Sequence, residues 1–259
     1  YVVDDAGDTI EEHAGEGTDE VRTASASDSL AGLATVENLT AASDINHDFR
    51  DNAGNNVLTG GGGNDLLWFF GGGTDSGIGG LGNDVFLFGS TMDGLDLVDG
   101  GAGTDQIALQ GGAAFTFGVG VVNVESLGLL SGSDTRFGGP GGLLHSYNLT
   151  TVDSNVAVGS QWTVDGAKLL AGENLTFDGS AETDGNFFIY GGRGVDTLTG
   201  GAKNDVFLFG SDNHFGAGDT VNGGSGGIDQ LALRGNYSLT FGAGQLTGIE
   251  SIGILSAHD

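Results

Sequence analysis

The sequence predicts an all-β protein built by stacking repeated turns, and three observations predict it. A nine-residue unit, Gly-Gly-x-Gly-x-Asp-x-U-x with U a large apolar residue, occurs in full as GGGGNDLLW at 60–68, GGLGNDVFL at 79–87, GGAGTDQIA at 100–108 and GGRGVDTLT at 191–199. A longer stretch, 60–134, returns as 181–259. NDVFLFGS at 83–90 recurs unchanged at 204–211, TDQIAL at 104–109 returns as IDQLAL at 228–233, and VESLGLLSGSD at 124–134 as IESIGILSAHD at 249–259. Short apolar runs bounded by glycine recur along the chain, as strands between turns do. Duplication at this scale argues for an array in which each unit buries its apolar face on its neighbours.

The elements follow in order. YVVDDAGD at 1–8 opens as a strand-like run, and AGEGTDEVR at 14–22 is a degenerate unit that keeps Gly17, Asp19 and Val21. SDSLAGLATVENL at 27–39 carries the best helix-like apolar spacing in the chain, without caps. LLWFF at 66–70, VFLF at 85–88, IAL at 107–109, FTF at 115–117 and VESLGLL at 124–130 are the strands of the first copy. FGGGTDSGI at 70–78 keeps Asp75 but has Gly77 where the apolar residue belongs, and TMDGLDLVD at 91–99 keeps Gly94, Asp96 and Val98. YNLTTV, QWTVDG and NLTFDG lie between the copies, spaced like further rungs. NFFIY at 186–190, VFLF at 206–209, LAL at 231–233, SLTF at 238–241 and IESIGIL at 249–255 are the strands of the second copy. Within it GGAKNDVFL at 200–208 keeps Asp205 but has Lys203 at the third glycine, and GGSGGIDQLA at 223–232 carries one extra residue before Asp229. The expected organisation is a β-solenoid region 1–134 with the first copy at 60–134, connecting rungs at 135–180, and the second copy at 181–259. The alternative for 135–180 is a separate β-sandwich.

The unit has a readable chemistry. Its glycines permit positive φ, so six residues can make a tight turn whose carbonyls point at a common centre. The aspartate adds a carboxylate, and a set of oxygen ligands suits Ca²⁺. The last three residues place one apolar side chain inward, as a short strand does. A single Gly-Asp turn would be explained by local hydrogen bonding. Recurrence at similar spacing singles out Asp65, Asp75, Asp84, Asp96, Asp105, Asp196, Asp205, Asp219 and Asp229 as candidate metal ligands, with Asp8 and Asp19 as a further N-terminal pair. If two units make one turn, Asp65 adjoins Asp84, Asp75 adjoins Asp96 and Asp84 adjoins Asp105.

The unit resembles the RTX (repeat-in-toxin) nonapeptide, and the match covers about half of the chain. The resemblance implies a right-handed parallel β-roll, or β-solenoid, with two nonapeptides per turn and multiple Ca²⁺ ions between successive turns. It also implies carbonyl ligands from the motif glycines Gly61, Gly63, Gly80, Gly82, Gly101, Gly103, Gly192 and Gly194. Proteins with such repeats typically leave Gram-negative bacteria by type I secretion, which implies a secreted protein at the bacterial cell surface.

Composition bounds the function. The chain has 259 residues, 53 glycines, one proline and no cysteine, so disulfides are excluded. Thirty-five acids against seven bases give a formal charge of −28. That charge excludes a nucleic-acid partner, which needs clustered Lys and Arg. It also opposes compaction unless something neutralises it. No apolar run is long enough for a transmembrane segment. Other motif matches dissolve on inspection. GGSGG around Ser225 lacks the strand–turn–helix of a nucleophile elbow, and GIGGLG at 77–82 lacks a following helix. His13, His47, His145, His214 and His258 show no zinc spacing.

The expected function is therefore a non-enzymatic calcium-binding extracellular module of a bacterial surface layer, matrix fibre or adhesin. It would self-associate or continue into further copies of the repeat, and an extracellular polysaccharide is a possible partner. The alternative is an accessory module, serving secretion, folding or carbohydrate binding, of a larger secreted enzyme. Both ends of the sequence read as cut from a longer array.

Overall fold

The computed structural model describes residues 1–3, 10–13, 15, 17–138, 141–210 and 214–256. The described residues form 24 β-strands, one short 3₁₀ turn at Asp153–Asn155 and no α-helix. Every strand pairing is parallel, and each strand hydrogen-bonds to the equivalent strand of the next turn. The chain is a β-solenoid of two facing layers. One layer is a single sheet of 11 strands, one per turn, running from Ser27–Ser29 to Ser251–Leu255. The facing layer is divided into a seven-stranded N-terminal sheet and a six-stranded C-terminal sheet.

The division has a visible origin. Between the long-sheet strands Gln106–Leu109 and Ser126–Leu129 the chain makes two facing strands instead of one. Val121–Val122 pairs back onto Leu97–Ala102 and closes the N-terminal sheet. Ala113–Thr116 pairs forward onto Tyr147–Thr150 and opens the C-terminal sheet. The described residues between Leu129 and Tyr147 form no strand, and the array resumes through Tyr147–Thr150, Gln161–Asp165 and Leu175–Asp178.

The core is the slot between the layers. Strand alternation sends every second residue inward, and the register stacks these residues in rows. Leu67, Phe86, Ile107, Leu127 and Val164 form one row of the long sheet. Leu39, Leu58, Gly77, Val98 and Val121 face it from the N-terminal sheet. Leu149, Phe177, Leu198 and Val221 do so from the C-terminal one. All of these apolar side chains are buried. Phe69 and Phe88 stack at 4.6 Å on adjacent turns.

Gly77 explains an irregularity of the repeat. A Cβ there would collide with the Phe86 ring and crowd that of Phe69. The missing apolar side chain of that unit is replaced by aromatic volume from the facing sheet. A second, smaller apolar cluster covers the outer face of the long sheet, where Trp68, Leu87, Ala108 and Leu130 pack with Phe137 from the segment after Leu129.

One weak local pattern has no structural counterpart, and one expectation is corrected. The helix-like spacing at 27–39 forms no helix: Ser27–Ser29 is a long-sheet strand, two turns follow, and Asn38–Ala41 is a strand of the facing sheet. Parallel pairing with adjacent turns outweighs a weak local period that carries no caps. SLTF at 238–241 forms no strand, although FTF in the first copy lies within and just after Ala113–Thr116. That first-copy strand is held by Tyr147–Thr150 of the next turn, and no strand among the described residues pairs with 238–241. An extended segment without a neighbour has no ladder to satisfy its backbone.

Candidate metal-binding turns

The strands deliver the motif residues to the two corners of the solenoid, where the chain passes from one layer to the other. Each candidate aspartate is the residue immediately before a strand, and each is buried: Asp65, Asp75, Asp84, Asp96, Asp105, Asp196, Asp205, Asp219 and Asp229. They form ladders. At the corner entering the long sheet, the N–H of Asp65 donates to Asp84 Oδ1 at 2.8 Å and the N–H of Asp84 donates to Asp105 Oδ1 at 2.7 Å. The His47 N–H starts the ladder on Asp65 Oδ1 at 2.7 Å. At the opposite corner the N–H of Asn56 donates to Asp75 Oδ1 and the N–H of Asp75 to Asp96 Oδ1. The second copy repeats both ladders, with Asp205 donating to Asp229 at 2.7 Å and Asp196 to Asp219 at 2.8 Å. The three adjacencies expected from two units per turn, Asp65–Asp84, Asp75–Asp96 and Asp84–Asp105, are those of the structure.

The second carboxylate oxygen separates these residues into groups. Oδ2 of Asp65, Asp84 and Asp105 is buried with no hydrogen-bond partner. By contrast, Oδ2 of Asp96, Asp196, Asp205 and Asp219 accepts from an N–H of its own turn, donated by Asp93, Gly192, Gly201 and Gly216 respectively. Three consecutive turns at one corner therefore each hold one buried oxygen without a donor. Leaving such an oxygen unpaired costs free energy, so this corner has acceptor capacity that the protein's own donors do not use.

Main-chain oxygens converge on the same corner. Gly61, Gly63, Gly80, Gly82, Gly101 and Gly103 all adopt positive φ. They stack so closely that a Cβ on Gly82 would overlap the Gly63 carbonyl oxygen, and one on Gly103 the Gly82 oxygen. A Cβ on Gly79 would meet both Asp84 Oδ2 and, at 2.5 Å, the Gly100 carbonyl oxygen. Gly192 and Gly194 are absent from the positive-φ glycines, and their turn is closed by the Gly192 N–H on Asp196 Oδ2. Among the described residues, no group of three or more His, Cys, Asp or Glu side chains is placed to hold a metal ion. A cation at this corner would need carboxylate oxygens together with glycine carbonyls, a donor set that suits Ca²⁺.

Electrostatics point the same way. Burial, with like charge on the neighbouring turns, pushes the carboxyl of Asp75 up to about 7 and those of Asp84, Asp196 and Asp205 up to about 6. Burial also raises Asp65, Asp96, Asp105, Asp219 and Asp229. Glu173 is the contrast. Burial raises it too, but N–H groups of Leu170, Gly132 and His145 outweigh that and hold it below its ordinary value.

The N-terminal pair is not built like the rest. Asp8 lies outside the described residues. Asp19 donates its N–H to Glu37 Oε2 at 2.8 Å, but its own side chain is partly exposed beside Glu12.

Sequence reasoning missed several ladder members. Glu125 Oε2 accepts from the Asp105 N–H at 2.7 Å, and Glu250 Oε2 accepts from the Asp229 N–H at 2.8 Å. Both occupy the position immediately before a long-sheet strand, and the second copy preserves the first copy's choice. Asn56 and Glu37 were missed as well, and so was Glu182, whose Oε1 accepts from Asp184 and Gly185 of its own turn rather than from a ladder. Glu182 Oε2 is another buried oxygen without a partner. An acid preceding an apolar alternation, with or without the glycines, was the signal available.

No family model, no curated protein and no solved structure matches this chain. The likeness to the RTX nonapeptide therefore rests on the motif.

Proposed function

We propose that this chain is a calcium-binding structural module in which cations cross-link successive turns of the solenoid. The observation that carries the proposal is the run of Asp65, Asp84 and Asp105, three stacked buried carboxylates each with one oxygen lacking a donor. Ca²⁺ would be held by these oxygens with carbonyls from Gly61, Gly63, Gly80, Gly82, Gly101 and Gly103. It would supply positive charge between like-charged groups and a bond from one turn to the next. The residues themselves hold the turn shape, keep water from the inner carboxylate oxygens, and fix the spacing of the ligands through the N–H to Oδ1 ladder.

The remainder of the reading follows from the absence of disulfides, the charge of −28 and the internal duplication. Calcium cross-links would take the place of disulfides in an extracellular setting, where calcium is abundant enough to fill weak sites. The role would be mechanical or adhesive, at a bacterial surface reached by type I secretion, with association through further repeats.

Isothermal titration with Ca²⁺, paired with far-ultraviolet circular dichroism in chelator, tests the proposal. The expected result is gain of β-structure on adding Ca²⁺, since a ligand that binds the folded state stabilises it. Mg²⁺ should substitute poorly because it demands near-octahedral geometry and keeps its waters. A spectrum and thermal midpoint indifferent to calcium would refute the proposal.

A further inference from the structure

The outer face of the long sheet carries a groove. Strand register lines up Leu66, Val85 and Gln106 in one outward row and Ala108, Gly128 and Asp165 in the next. Together they floor a cavity of about 540 Å³ that crosses five consecutive strands, from Leu66–Phe69 to Gln161–Asp165. At about 4.8 Å per strand the floor runs for about 19 Å.

One wall is built from the residues that follow Leu129. Leu130 and Phe137 pack on the sheet, and Asp134 and Arg136 line the cavity between them. The wall is fixed from behind. The Gly132 N–H donates to the buried Glu173 Oε1 at 2.6 Å, and Gln110 Nε2 donates to the Asp134 carbonyl at 3.1 Å. Arg136 holds the Asp134 carboxylate through both Nε and Nη2.

The groove has hydrogen-bonding capacity that the chain does not use. Asn64 and Asn83 stand on the opposite rim, one per turn, and are exposed. Their Oδ1 atoms accept from the N–H groups of Asn83 and Thr104, both at 2.8 Å, which fixes each amide and leaves its Nδ2 unpaired. The Gln106 amide and the Lys168 ammonium make no hydrogen bond among the described residues. Asp165 accepts from the Ala167 N–H with Oδ1 and keeps Oδ2. Charge is balanced here, in a chain of −28: Asp134 and Asp165 stand against Arg136 and Lys168, and the remaining acid, Asp65, is buried in the aspartate ladder.

We propose that this groove binds a neutral, extended β-linked glycan lying across the strands. Leu66, Val85 and Ala108 offer an apolar floor to the C–H faces of sugar rings. The rim amides, with Asp165 and Lys168 at one end, offer donors and acceptors to the hydroxyls, and a few placed polar groups over an apolar surface are what orient a ligand. A charged polymer gains nothing from a balanced rim. An extended peptide docks by adding main-chain hydrogen bonds to a sheet edge, and this floor is a sheet face whose backbone is already paired. A hydrocarbon would leave the rim amides desolvated and unpaired. One sugar ring would cover a fraction of the floor. The inference does not rest on the calcium reading: calcium-dependent folding without glycan binding would overturn this inference alone.

The test is titration calorimetry on the full chain in calcium-containing buffer with cellohexaose, mannohexaose and N-acetylchitohexaose. Glucose and hexagalacturonate are the comparison probes, one too short and one charged. The expected result is binding of at least one neutral hexasaccharide, weakened about tenfold by Gln106→Ala. Gly128→Val, which fills the floor, should weaken it further. Gly128 is not among the positive-φ glycines, and the atoms nearest a new Cβ belong to the flexible Gln106 amide, at 3.2 Å and beyond. Circular dichroism and thermal midpoints should therefore match the parent; if Gly128→Val misfolds, the half-buried, outward Gln106→Ala decides the matter. Glucose and hexagalacturonate should each bind at least about tenfold more weakly than the hexasaccharide. No binding by any of the three hexasaccharides, binding unchanged by the substitutions, or equal binding of glucose or hexagalacturonate would overturn the proposal.

Discussion

The N–H of Asp84 donates to Asp105 Oδ1 at 2.7 Å, while Asp84 Oδ1 accepts from the N–H of Asp65 at 2.8 Å. Asp65, Asp75, Asp84, Asp105, Asp196, Asp205 and Asp229 are thus donors through the backbone to the next turn and acceptors through the side chain from the previous one. The ladder holds negative groups in a column that Coulomb repulsion opposes, and it does so with one oxygen of each. The other oxygen of Asp65, Asp84 and Asp105 is left over.

Asp84→Ala and Asp84→Asn should therefore behave differently. Alanine leaves the Asp65 N–H buried without an acceptor, at about 1–3 kcal/mol. Asparagine keeps an acceptor and removes a like charge, so in chelator it should be the milder change, neutral or stabilising. In calcium both variants should lose part of the calcium-dependent stabilisation. Urea midpoints with and without calcium check this, and equal calcium responses in parent and Asn variant would remove Asp84 from the cation site.

Stability without calcium should fall as pH rises. Folded-state carboxyls at about 7 for Asp75 and about 6 for Asp84, Asp196 and Asp205 lie above the ordinary value of 3.8. From about pH 4 to about pH 7 the folded state therefore holds more protons than the unfolded chain, and linkage makes stability decline with pH. Chelated protein should show its highest urea midpoint near the acid end of that window, and Asp75→Asn should flatten the slope. A midpoint that climbs with pH in chelator contradicts the burial account.

Gly82→Ala should destabilise by about 1–3 kcal/mol or more, because φ is strained for any L side chain and the Cβ overlaps the Gly63 carbonyl oxygen. Gly216→Ala is the matched control. Its φ lies outside the positive region, the nearest atom to a new Cβ is Asp219 Oδ2 at 3.9 Å, and the N–H it donates to that carboxylate is retained. Thermal midpoints of the two variants should separate clearly.

Glu125→Ala should cost more than Glu250→Ala. Both remove the acceptor for a ladder N–H, of Asp105 and Asp229 respectively. Glu125 is half-buried and Glu250 exposed, so water can replace the lost acceptor more readily in the second case. Hydrogen exchange at the Asp105 and Asp229 amides measures the difference directly. Equal acceleration at both would show that the two ladder ends are equally open to water.

Much of the fold was legible because a parallel solenoid writes its register into the sequence. NDVFLFGS appears twice, and Val85–Phe88 and Val206–Phe209 are indeed equivalent long-sheet strands. The unit's apolar position assigns Phe86 inward, and the two-residue period of a strand then puts Phe88 on the same face. The aspartates before those strands were legible for the same reason, since the unit places Asp84 and Asp205 one residue ahead of the strand.

What the sequence determined by itself was the unit: glycine turn, aspartate and alternating strand; two units to a turn, and with it the adjacencies Asp65–Asp84, Asp75–Asp96 and Asp84–Asp105, came from the likeness to the RTX nonapeptide. Those features depend on local conformation and a fixed repeat length. The tertiary structure decided what depends on partners from other turns. It put the Phe86 ring into the space Gly77 leaves, left 238–241 without a strand to pair with, and split the facing layer between Ala113–Thr116 and Val121–Val122. It also distinguished Asp84 from Asp205, which precede the same VFLF strand: the second oxygen of Asp205 takes the Gly201 N–H, and that of Asp84 takes none. Whether a buried oxygen finds a donor is set by the path of the neighbouring backbone, which a nine-residue pattern does not contain.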